Sequence, residues 1–291
     1  MPLILVLAGC HAFQTLEIPC VAGEPCASPD TGPTEPGVPV TGWIVSYDTP
    51  QDNAVVETHS PDGSLMDSWS VDDTSAGPVA WSPDEDYGVL IDGERVFGLS
   101  PGVAAEYLGE TTNGIATIDV ERVGDYLWFA VGDNLYASDG DVWFKVFDVD
   151  LDRAEHLAGD DGMLYLTAET GDGVDLYAID PAAVTWSPVH RGLNAPRARN
   201  VFLGPEGGPY ACSAAGAVYS LDALAAGNAD TVAFYDGTVG DVRDCGYDPG
   251  DGRYLLFSPT LGVLKIDPRG RGEVLTEVPA GYAGMRANFF R

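Results

Sequence analysis

THSPDG (58–63), GLSPG (98–102), ASDGD (137–141), AIDPA (178–182), SLDAL (220–224) and KIDPRG (265–270) are six versions of one short element. In each, an apolar strand ends in Ser or Asp and a turn. The marker residues Ser60, Ser100, Asp139, Asp180, Asp222 and Asp267 are 40, 39, 41, 42 and 45 residues apart. Ser or Asp followed by Pro or Gly favours a tight turn, because the side-chain oxygen can bond the backbone two residues on.

Working outward, a second apolar strand precedes each marker: WIVSYDT (43–49), YGVLID (87–92), YLWFAVG (126–132), LYLTAET (164–170), YACSAAG (210–216) and YLLFSPT (254–260). A third strand follows each marker. An innermost strand precedes five of the six units: VAWSP, ATIDVER, RAEHLA, RNVFLG and VRDCGY. Four short strands in roughly 40 residues is the pattern of a β-propeller blade. The first unit lacks its innermost strand, and the C-terminal stretch YAGMRANFF (282–290) has no partners of its own. In a ring, that last strand completes the first blade and removes two exposed sheet edges. The expected fold is all-β: a six-bladed β-propeller over 42–291, its first blade closed by the C-terminal strand. A monomeric domain is expected.

One blade resembles a known family. Val79-Ala80-Trp81-Ser82-Pro83-Asp84, followed by Tyr87-Gly88-Val89-Leu90, looks like the WSPDG-type repeat of TolB-like propellers. The likeness covers about one blade in six. It implies similar extracytoplasmic binding and scaffolding roles, without those proteins' particular partners.

The N-terminus carries a second resemblance. MPLILVLAG precedes Cys10, and Leu7-Ala8-Gly9-Cys10 matches the lipobox of bacterial lipoprotein signal peptides. That resemblance implies cleavage after residue 9 and a diacylglycerol on Cys10, which anchors a chain to a membrane surface without spanning it. The apolar stretch is short and no Lys or Arg precedes it. A start codon assigned too far downstream would explain both. The alternative is a truncated ordinary secretory signal. Residues 10–41 are rich in Pro with no hydrophobic periodicity, and read as a disordered, solvated tether. Cys20 and Cys26 within it form a natural local disulfide pair. Four cysteines besides Cys10 suit an oxidising compartment. The expected address is the extracytoplasmic side of a bacterial cell envelope.

Charge excludes some partners. The 291 residues carry 45 acidic and 14 basic side chains, a formal net charge of −31. Nucleic acid would be repelled. Apolar residues at 45% are ample for a core, so wholesale disorder is excluded.

Chemistry is sparse. Gly98-Leu99-Ser100-Pro101-Gly102 fits G-x-S-x-G literally, but a nucleophile elbow needs a helix after the turn, and here another strand follows. His11, His59, His156 and His190 are scattered singly. Asp148, Asp150 and Asp152 form a D-x-D-x-D run, the opening of many calcium loops. The Gly and Glu that such a loop needs further on are replaced by Arg153 and Gly159. An acidic turn is the favoured reading. No cofactor is expected, with calcium the metal to test. Cys212 and Cys245, on the second strand of blade 5 and the first of blade 6, read as either an inter-blade disulfide or two buried thiols.

The candidate ligand residues are Arg153, Arg199, Arg243 and Arg286. The first three lie 11 residues before the same strand position (Leu164, Tyr210, Tyr254), and Arg286 begins the C-terminal strand. A ring of arginines at one channel mouth could clamp a carboxylate or phosphate. The favoured alternative pairs each with a carboxylate of the adjacent blade. The function expected is a membrane-anchored scaffold binding a protein or a small anionic ligand, more in keeping with a non-enzyme. The runner-up is a propeller-type hydrolase or dehydrogenase working at the channel mouth.

Overall fold

Six antiparallel sheets of four strands each account for the domain. The computed structural model describes residues 42–290, apart from 83, 112–115, 125, 139–142, 149–152, 161, 171–172, 195–197, 229, 236, 238 and 280–281. The expected signal, Cys10 and the expected tether with Cys20 and Cys26 lie outside the described residues, as do Asp150 and Asp152.

Blade 1 contains β1 (Gly42–Asp48), β2 (Ala54–His59) and β3 (Leu65–Val71). Blade 2 is β4 (Val79–Ser82), β5 (Tyr87–Asp92), β6 (Arg95–Leu99) and β7 (Glu106–Glu110). Blade 3 is β8 (Thr117–Val123), β9 (Tyr126–Val131), β10 (Asn134–Ser138) and β11 (Trp143–Asp148). Blade 4 is β12 (Arg153–Asp160), β13 (Met163–Thr170), β14 (Gly173–Asp180) and β15 (Thr185–Leu193). Blade 5 is β16 (Ala198–Leu203), β17 (Pro209–Ser213), β18 (Ala217–Ser220) and β19 (Ala233–Phe234). Blade 6 is β20 (Asp244–Asp248), β21 (Arg253–Ser258), β22 (Gly262–Ile266) and β23 (Gly272–Thr276). The last strand, β24 (Ala283–Phe290), returns to blade 1 and pairs antiparallel with β1, from Gly42↔Phe290 to Asp48↔Ala283. The innermost strands β4, β8, β12, β16, β20 and β24 contact one another in sequence around the axis.

The middle strands are buried on both faces between neighbouring blades. They therefore read as continuous apolar runs rather than alternating ones. Trp43, Trp128, Phe129 and Phe257 are fully buried there, each contributing on the order of 1.5–3 kcal/mol of transfer free energy. The outer strands β3 and β23 face solvent along much of their length.

A repeating bond joins blades. The start of an innermost strand donates to the turn after the second strand of the preceding blade: Thr117 N–H to Gly93 O, Ala154 N–H to Gly132 O and Val242 N–H to Ala214 O, at 2.8–3.0 Å. Between blades 1 and 2 a side chain takes that part, with the Asp48 carboxylate accepting from Ala76 N–H.

Two markers behave as expected: Asp180 accepts from Ala182 and Ala183 N–H, and Asp267 from Arg269 and Arg271 N–H. Blade 5 departs from the pattern. Ser220 caps a short helix, α1 (Leu221–Ala225), by accepting from Ala223 N–H. Asp222 sits inside that helix and accepts from His190 of blade 4 at 2.7 Å. The marker in that blade is thus Ser220, and Ser-x-x-Ala capped a helix instead of closing a tight turn. Ser100 lies between β6 and β7, with no helix after it.

Two features lock the last blades. Cys212 on β17 and Cys245 on β20 form a disulfide across blades 5 and 6, which resolves the alternatives left by the sequence. Gly246 on β20 faces Phe289 of β24, and a Cβ at 246 would lie 2.7 Å from that ring. The disulfide closes a 33-residue separation, so the Cys212→Ser/Cys245→Ser double variant is expected to lose about 3–4 kcal/mol by the loop-entropy estimate. Chemical denaturation of the oxidised wild type and the variant measures it. Gly246→Val is expected to push Phe289 off its seat and cost about 1–3 kcal/mol, read as a fall in melting temperature.

Candidate functional site

Four of the six innermost strands share an irregularity. The ladders shift register between Thr117 and Asp119, between Ala154 and His156, and between Ala198 and Asn200. The β1–β24 ladder shifts next to Arg286. A bulge bends a strand and re-aims the side chain that follows. Strand pairing then places Asp119, His156, Asn200, Asp244 and Arg286 at one register position, each immediately before an apolar residue (Val120, Leu157, Val201, Cys245, Ala287). Five of six blades thus offer a polar group at one level of the axis. Blade 2 has Pro78 there, whose carbonyl accepts from Ile91 N–H.

These groups bond between neighbouring blades. Asp119 accepts from Val120 N–H and from Leu157 N–H of the next blade, both at 2.9 Å, and His156 Nδ1 lies 3.8 Å from it. Asp244 accepts from Cys245 N–H at 2.7 Å and from the Asn200 amide. Asn288 of β24 donates 2.7 Å to Glu121 of β8, spanning the axis past blade 2. Asn200 is 92% buried (8% exposed), and its Oδ1 has no hydrogen-bond partner. Burial and the Asp119 carboxylate on the opposite blade hold Asp244 well above the usual carboxylate range. Cys245 N–H, the Arg286 guanidinium and Ala287 N–H oppose that rise.

Beside this level lies a cavity of about 50 Å3. It is lined by Asp119 and Glu121 of β8, by Asn200 to Leu203 of β16, by Asp244 to Tyr247 of β20 and by Ala287 to Phe289 of β24, with Leu157 to Gly159 of β12. It runs from the polar level toward the ends of those strands. Among the described residues, no basic side chain lines it.

The ladder register sets the backbone positions of the four expected collar arginines at neighbouring but unequal places. Arg199 falls in the bulge of β16 and Arg243 directly precedes β20, both one residue before the polar level. Arg153 pairs with Glu169, three residues before His156. Arg286 is at the polar level itself. Arg243 bonds Asp241, two residues away in its own loop, at 2.7 Å. The side chains of Arg153 and Arg199 lie outside the described residues. Asp148 closes β11 opposite Asn134, and its side chain is likewise outside. Among the described residues, no group of three or more His, Cys, Asp or Glu is arranged to hold a metal. His59 stacks on Trp43 and is bonded to Glu57 and Gly63 O. Trp81 packs against Trp69, and Tyr126 against Trp128, so the aromatics at blade starts are packing residues.

No family model matches the sequence, and no curated protein does. The architecture is similar to that of solved structures. One is Kluyveromyces lactis Hsv2p, 15% identical, with a TM-score of 0.47 over 80% of this chain and 75% of that one. Another is the computationally designed Ika8 protein, 10% identical, with a TM-score of 0.46 over 80% and 72%. The class is therefore defined by the chain's own topology, a six-bladed β-propeller.

Asp244 makes stability depend on pH. Its folded-state affinity for the proton exceeds that of the unfolded chain, whose carboxyl titrates near 3.8. Its contribution is therefore fully present below that value and is lost as pH rises toward the elevated folded value. Asp244→Asn is expected to flatten this part of the profile of melting temperature against pH, while retaining an acceptor for Cys245 N–H.

Proposed function

We propose that the protein is a lipid-anchored, extracytoplasmic binding scaffold whose ligand enters the axial cavity. The observation that carries this reading is the polar level beside the cavity. A buried Asn200 acceptor without a partner and two part-shielded carboxylates opposed across the axis are costly unless a ligand meets them. Binding sites commonly combine an apolar wall with a few such convergent groups. The Cys212–Cys245 disulfide supports an oxidising compartment, and Leu7-Ala8-Gly9-Cys10 supports attachment through Cys10. A catalytic reading would rest on Asp119 and His156, whose approach of 3.8 Å is beyond a hydrogen bond.

Two measurements test the proposal. Expressed in a bacterium, the full chain is expected to partition into detergent and to incorporate labelled palmitate, with Cys10→Ala losing both. Equal partitioning of the two chains would overturn the anchor. In a thermal-shift screen of amines, anions, calcium and oligosaccharides, one class is expected to raise the melting temperature by about 5–10 °C at a hundredfold excess over Kd. Asn200→Leu is expected to abolish that rise.

A further inference from the structure

The axial cavity has a definite chemical sign. Its polar lining consists of carboxylates (Asp119, Glu121, Asp244) and of amides (Asn200, Asn288). The Asn288 amide N–H is already given to Glu121 and the Asn200 amide N–H to Asp244. Among the described lining groups, the buried atom left without a partner is an acceptor, and Arg286, although at the same level, does not line the cavity. Asn200 Oδ1 is unpaired, and each carboxylate oxygen of Asp119 and Asp244 can take a second donor. The walls beyond are Phe202, Tyr247 and Phe289, rings whose faces favour a cation. An anion would meet these carboxylates at close range, whereas a cation would relieve their repulsion.

We propose that the cavity receives the ammonium group of a small primary amine, which donates to Asp119, Asp244 and Asn200 Oδ1. The proposal rests on the cavity being the ligand site and names the group that site selects. An ammonium supplies three donors from one compact charge, matching three acceptors from three blades. A space of about 50 Å3 admits a head of that size, with the rest of the amine lying toward Tyr247 and Phe289. The absence of a three-carboxylate or histidine cluster among the described residues sets this apart from a divalent-metal site.

Binding is coupled to protons. Without the amine, Asp244 holds its proton above the usual carboxylate range, and an ammonium beside it favours the ionised form. The charged groups acting on it are Asp119 from β8 and Arg286 from β24; Glu121 and Tyr247 share the cavity lining, and His156 lies beside Asp119. Amine binding therefore releases up to one proton at a pH between the ordinary carboxylate value and the raised one. Affinity falls on acidification.

The test is calorimetric titration of the full chain with methylammonium chloride, in two buffers of different ionisation enthalpy. Saturable binding with proton release is expected. Tetramethylammonium, which has no N–H, is expected to bind at least tenfold more weakly, and Asp244→Asn to remove the proton release. Glu121→Gln, which keeps the bond from Asn288 sterically feasible, is expected to weaken binding several-fold. Proton release is read on the wild-type chain, so the result does not depend on a variant folding. Absence of saturable methylammonium binding overturns the inference, as does binding indifferent to N-methylation. If acetate or phosphate binds instead, with Asn200→Leu abolishing it, the cavity remains the ligand site and only its cationic preference is lost. If no probe in either experiment binds, both readings fall.

Discussion

The antiparallel pairing of β1 with β24 is the contact on which the rest of the molecule depends. Without it, blade 1 would present the inner edge of β1, and β24 would have no ladder at all. Closing the circle costs loop entropy, but that cost grows only with the logarithm of the separation. In return, the pairing fills the innermost position of the sixth and last wedge. It carries Arg286, Asn288 and Phe289 to the axis. The cavity wall, the Asn288–Glu121 bond across the channel and the seat of Phe289 over Gly246 all follow from it.

Bulges convert this regular framework into a site. An ideal ladder would continue the alternation of the inner strands without interruption. The shifts before Asp119, His156 and Asn200 interrupt it at equivalent places and turn polar side chains to one level. The surrounding apolar blades bury Asn200 and shield the other groups in part. This is why burial and Asp119 hold the Asp244 carboxyl well above the usual carboxylate range.

The architecture was legible because its signals are local and repeated. Turn residues recur at nearly constant spacing, apolar runs mark the second strands, and residues 282–290 were left over for one vacant place. Cys212 and Cys245 could be assigned to adjacent blades for the same reason, although only geometry shows that they are bonded. The site was harder to read. Counting 11 residues back from Leu164, Tyr210 and Tyr254 picks out arginines, but hairpin lengths and bulges differ between blades, so equal counts do not give equal register. Aligning the polar–apolar pairs Asp119-Val120, His156-Leu157, Asn200-Val201, Asp244-Cys245 and Arg286-Ala287 would have found the level. In blade 5 the marker failed for a related reason: Ser220 could cap a helix as readily as close a turn, and α1 formed.

The ring's closure also fixes an order of assembly. Blades 2 to 6 are each built from consecutive strands and can form as the chain is made. Blade 1 waits for the last segment of all, because β1 and β24 stand at opposite ends of the domain. Until then the protein is an open arc with two raw edges and no axial cavity, and long-range pairings of this kind are slow to form. A charge of −31 keeps such arcs apart during that interval, so the surface acidity protects the molecule at the stage when it is most exposed to its neighbours.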